Sequence, residues 1–165
     1  MLARAAARFP PNTISRLHVR SFSQTAAARG PLFSAHVASL KKHVKEISTS
    51  ELNAKLTARP EGPDAAFHLL DVRETKEWNQ GRLPYAVYTG RGCLERDIEG
   101  IVADPYDEIV LYCGSGMRSV LAADALQKLG YKNVTSLRGG IGAWTKEGLP
   151  LGQSSKTFSD LVDDY

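Results

Sequence analysis

Glu108-Ile109-Val110-Leu111-Tyr112-Cys113-Gly114-Ser115-Gly116-Met117-Arg118-Ser119 is the stretch that decides the fold. Its first five residues are apolar enough for a buried strand of ordinary length. The polar, glycine-rich run that follows can only be a turn. Beyond it, Val120, Leu121, Ala123, Ala125, Leu126 and Leu129 recur at helical spacing, and Gly130 offers a C-terminal stop. A cysteine between a buried strand and a helix stands where backbone N–H groups converge on an anion and where the helix terminus favours negative charge. Cys113 is therefore the candidate nucleophile, poised as a thiolate.

The same alternation extends on both sides. Val44-Lys45-Glu46-Ile47 reads as a short edge strand, with Ser48 or Thr49 capping a helix through Leu52 and Leu56. Pro60, Gly62 and Pro63 mark a loop from Arg59 to Asp64. Phe67 to Val72 has strand length, Glu74 to Asn79 fits a short helix, Ala86 to Tyr88 a weak strand, and Leu94 to Val102 a helix ended by Asp104-Pro105. Asn133 to Leu137 gives a further strand, and Gly139-Gly140 turns into a helix carrying Trp144. Alternating strands and helices predict an α/β fold, a small, mostly parallel sheet with helices on both faces.

The chain has 165 residues, room for one domain with a full core. Residues 1–30 contain Arg4, Arg8, Arg16, Arg20 and Arg29 and no acid, with Leu2, Phe9, Ile14 and Leu17 spaced for short amphipathic helices. That is the composition of a mitochondrial presequence. Arg20-Ser21-Phe22-Ser23 suggests cleavage after Phe22, which predicts a matrix protein. The expected organisation is a presequence over 1–22, a flexible linker over 23–43, the domain over 44–150 and a polar tail over 151–165. Without the five leader arginines, 16 basic residues face 18 acidic ones. This balance gives no basic stripe for nucleic acid, and no apolar run is long enough to cross a bilayer. Two cysteines, Cys93 and Cys113, cannot by themselves complete a four-ligand zinc site, and the histidines form no metal pattern. Neither a metal nor another cofactor is expected.

Several further features fall in one order. They are Leu70-Asp71-Val72-Arg73 with Glu74 and Glu77-Trp78, the Gly81-Arg82-Leu83-Pro84 turn with Ala86, the Cys113–Ser119 loop, and Gly139-Gly140 with Trp144 and Pro150. In that order and spacing the chain resembles single-domain rhodaneses, of the sulfurtransferase superfamily. The resemblance implies that Cys113 takes the outer sulfur of a donor as a persulfide and passes it to an acceptor such as cyanide or a thiol. Gly114, Ser115, Gly116, Met117 and Arg118 would bind the substrate. Ser119, Asp71, Arg73, Glu77 and Arg82 would support them, the three charged residues Asp71, Arg73 and Glu77 as an ionic network. Arg118 could hold an anionic donor or pair with a carboxylate, and Met117 could meet an acceptor or fill space. Arg82 replaces the histidine common at its position, so proton-linked behaviour does not carry over.

Related phosphatases have one more residue between cysteine and arginine. The shorter run here favours sulfane sulfur over phosphatase or arsenate-reductase chemistry. Thiosulfate-specialised members carry extra positive side chains where this loop has Gly114, Ser115 and Gly116, which points to a low-molecular-weight persulfide as donor. A persulfide carrier serving a protein acceptor, or a noncatalytic interaction module, is the competing class. Cys93 is either incidental or a redox partner of Cys113.

Overall fold

The computed structural model describes residues 31–59 and 67–152. The presequence expected over 1–22, residues 60–64 of the expected loop and the expected tail beyond Gly152 lie outside them. Among the described residues eleven elements follow one another: α1 (Pro31–Leu40), β1 (Lys45–Ile47), α2 (Thr49–Thr57), β2 (His68–Asp71), α3 (Thr75–Gln80), β3 (Val87–Tyr88), α4 (Leu94–Ile101), β4 (Glu108–Tyr112), α5 (Met117–Leu129), β5 (Asn133–Leu137) and α6 (Gly140–Lys146). The strands form one sheet in the order β1-β5-β4-β2-β3, every pairing parallel. Parallel strands require crossovers, and each is made by a helix or a helix-bearing segment.

The period-two alternation of β4 distributes its side chains between two cores. Ile109 and Leu111 join Leu70, Val134, Val120 and Leu126 on the α1, α4 and α5 side. Val110 and Tyr112 join Leu69, Leu137, Leu52 and Trp144 on the α2 and α6 side. Cys113 continues the odd-numbered parity and lies in the α5-side core. A strand buried on both faces loses alternation in its hydrophobicity, which is why β4 reads as a continuous apolar run.

Helix α2 starts where the sequence placed it. Ser48 accepts from the Glu51 backbone N–H, and Glu51 reaches back to the Ser48 N–H at 2.8 Å, a complete capping box. One expectation fails. The segment 23–43 does not read through as a linker, because residues 31–40 form α1. Val37 and Leu40 of α1, with Val44 after it, are buried in the α5-side core. Their three- and four-residue spacing is helical, and Pro31 occupies the first helical position, where a missing N–H costs nothing. The domain thus begins at least by Pro31, not at Val44. At the other end Gly152 donates its N–H to Arg82 O at 2.8 Å, so the chain is still paired to the fold there.

Candidate active site

In an open parallel sheet, loops that leave the carboxyl ends of the strands gather along one edge. Here the Cys113 loop leaves β4 between the segment after β2 and the turn after β5. Gly116 is left-handed, with φ +84°, and a Cβ on it would stand 3.0 Å from Gly139 N. Only glycine meets both demands. The loop is closed from outside by α6. Ile141 N–H donates to Cys113 O at 2.9 Å and Gly142 N–H to Gly114 O at 3.0 Å. Gly140 lies so close beneath that a Cβ would be 2.2 Å from Cys113 O. The Gly139-Gly140 pair is thus a close-approach surface, with the Cys113 and Gly114 carbonyls engaged by α6.

Cys113 is 1% exposed. Its Sγ accepts the Gly116 N–H at 3.2 Å and faces the Ser119 hydroxyl at 3.6 Å. It stands at the N-terminal end of the 13-residue helix α5. The two donors and the helix terminus turn positive ends toward the sulfur, an arrangement complementary to an anion there, while burial opposes it. Ser115 is exposed on the rim, and Met117 is half-buried against the α5-side core. Cys93 and Cys113 are both free thiols, Cys93 exposed at the start of α4.

The charged residues separate into two pairs instead of one network. Asp71 and Arg73 are buried, the guanidinium donating to Asp71 Oδ1 at 3.0 Å, to Oδ2 at 2.9 and 2.6 Å, and to Gly81 O at 2.6 Å. Burial works against the Arg73 charge, but the Asp71 carboxylate outweighs it and raises the pKa overall. The same burial, reinforced by Asp71, raises the Tyr112 phenol well above its usual range. Tyr112 OH accepts the Leu83 N–H at 3.3 Å, tying β4 to the Gly81–Pro84 turn.

Arg118 and Glu77 make the second pair, two parallel bonds of 2.7 Å each, with Glu74 3.9 Å away. The Arg118 guanidinium holds the Glu77 carboxyl below the usual carboxylate range. Reciprocally the carboxylate raises Arg118. The pair leans on the loop, since a Cβ on Gly114 would lie 3.2 Å from Arg118 Nη2 and 3.5 Å from Glu77 Oε1. Of the two roles open to Arg118, the structure has it paired with a carboxylate. Arg82 lies at one remove from the loop, its guanidinium 4.3 Å from the centroid of Trp78, the neighbour of Glu77 on α3.

The Rhodanese-like domain family matches residues 52–147. The chain belongs to the rhodanese-like family. YtwF of Bacillus subtilis, which carries a provisional sulfurtransferase name, is 37% identical over 107 residues, covering 65% of this chain and 96% of its own. A protein named sulfurtransferase from Allochromatium vinosum is 34% identical over 108 residues, 66% of this chain and 94% of its own. Among solved structures, the polysulfide-sulfur transferase homodimer of Wolinella succinogenes superposes with a TM-score of 0.62 at 28% identity, over 75% of this chain and 89% of its own. Family and relatives support sulfur transfer as the general class of chemistry.

Two residues beside the loop were not among the expected site residues, although Glu74 stands within the Leu70–Trp78 motif. Glu74 approaches Arg118, and Ser136 donates to Ser119 Oγ at 2.8 Å. Ser136 carries a signal in retrospect: it shares the inward parity of Val134 on β5, a position for an apolar side chain.

Proposed function

We propose that the protein moves sulfane sulfur through a persulfide on Cys113. The observation that carries this is the Cys113 sulfur itself, at the end of the central strand, under the Gly116 N–H and at the start of α5. The Cys113 thiolate attacks the outer sulfur of a donor, the donor's S–S bond breaks, and the leaving thiolate or sulfite departs with the bond pair. Cys113 then carries S–S⁻. An acceptor thiolate or cyanide attacks that outer sulfur, the new S–S bond breaks, and the thiolate returns. Charge and electrons balance with no outside oxidant and no cofactor. Each anion formed on the sulfur remains beside the same donors.

The donor is a low-molecular-weight persulfide such as glutathione persulfide more readily than thiosulfate. Thiosulfate is a dianion, and the one guanidinium at the loop is held by Glu77 with Glu74 nearby. A higher kcat/KM for glutathione persulfide than for thiosulfate is expected, and the reverse order would overturn the donor assignment. The leader composition supports residence in the mitochondrial matrix, with the mature chain starting at Ser23; an organelle-resident protein still beginning at Met1 would refute that processing.

A further inference from the structure

Beneath the sulfur lies a two-hydroxyl chain that none of the steps above uses. Ser136 Oγ donates to Ser119 Oγ at 2.8 Å, and Ser119 Oγ donates to Cys113 Sγ at 3.6 Å, a separation suited to the larger radius of sulfur. Both serines are fully buried. A serine inside a helix ordinarily returns its hydroxyl proton to a carbonyl of the preceding turn. Ser119, in the first turn of α5, instead directs it to Cys113 while its oxygen accepts from Ser136.

Counting protons gives the chain a direction. With Cys113 as a thiolate, two hydroxyl protons make two bonds and both are used. With Cys113 as a thiol, three protons share the same two contacts, so whichever way they point one finds no acceptor within the chain. We infer that Ser136 is a positioning residue that acts through Ser119, turning the Ser119 hydroxyl onto the Cys113 sulfur and so favouring the thiolate, with the lost proton released to solvent. The inference rests on Cys113 being the sulfur carrier proposed above. The same bond serves the inner sulfur of the persulfide, whose position on Sγ does not change.

The test is a pH titration of thiolate ultraviolet absorbance in the full chain carrying Cys93→Ser, so that Cys113 is the thiol observed. Ser119→Ala should move the midpoint upward by about one pH unit, the scale of one hydrogen bond to a charged group. Ser136→Ala should move it upward by roughly half as much, since it weakens and misdirects that bond without removing it. The deciding result is the double variant, which should titrate with Ser119→Ala alone, because Ser136 has no route to the sulfur except through Ser119. Ser136→Thr, which keeps the hydroxyl, should retain the parent midpoint. An unmoved midpoint in Ser136→Ala, or an equal shift with and without Ser119, would overturn the inference. The titration reads no sulfur transfer. A protein that titrates as expected but takes no sulfur from any donor would refute the proposed function and leave the relay standing.

Discussion

The two arginine–carboxylate pairs beside the loop are chemically alike and physically different. Asp71–Arg73 lies inside the fold, with side chains 0% and 6% exposed, whereas Glu77–Arg118 is 34% exposed on both sides. In a dry interior each charge depends on its partner, because neither can recover its hydration. At a half-open rim, water and salt share the work, and the pair contributes little to stability. The inner pair is therefore framework. It fixes the end of β2 against Gly81, below the turn that Tyr112 also holds. In the proposed function the outer pair sets the charge that an incoming donor meets.

The comparison is tested first where the effect is largest. Arg73→Ala leaves the Asp71 carboxylate buried without its guanidinium, and denaturant unfolding should register a loss of about 3–5 kcal/mol. A loss below 1 kcal/mol would put the two pairs in one class. Glu77→Gln should cost less than about 1 kcal/mol by the same measurement. Its main effect is on the donor: with Arg118 released, the ratio of kcat/KM for thiosulfate to that for glutathione persulfide should rise, on the order of tenfold if one charge-assisted contact is gained. An unchanged ratio would show that Glu77 has no part in donor choice.

A smaller effect concerns acid. The Glu77 carboxyl titrates below its usual range because Arg118 is bonded to it. A depressed folded-state pKa gives stability that is present above the unfolded carboxylate value, about 4.3, and is lost as pH falls through the lower folded value. The small stability difference between the parent and Glu77→Gln should thus be present at neutral pH and vanish in acid. A difference that grew on acidification would have the wrong sign.

Much of this was legible in the sequence because the information was local. The apolar run of β4, the capping residues of α2 and the glycines around Cys113 each dictate structure within a few residues, and β4 and β5 fall on the residues expected. Helix α1 was hidden by its neighbours, since the Ala- and Ser-rich composition of residues 1–30 continues into it and only Val37, Leu40 and Val44 carry the core pattern. The division of the charged residues into two pairs was beyond sequence. Asp71, Arg73 and Glu77 are close along the chain, but their partners are set by which side of the loop each faces. His68 illustrates the same limit: it lies in β2 as expected, yet its Nε2 meets Asp107 at 3.2 Å at a partly exposed strand end. Ser136 is a polar residue in an apolar position, and its purpose appears only when Ser119 is placed opposite.

The most direct measurement of the central claim is intact-mass analysis before and after glutathione persulfide or thiosulfate, on the parent and on Cys113→Ser. The expected result is a gain of one sulfur atom that requires Cys113 and disappears on adding cyanide, with thiocyanate formed in equal amount. No gain with either donor, or the same gain in Cys113→Ser, would contradict it.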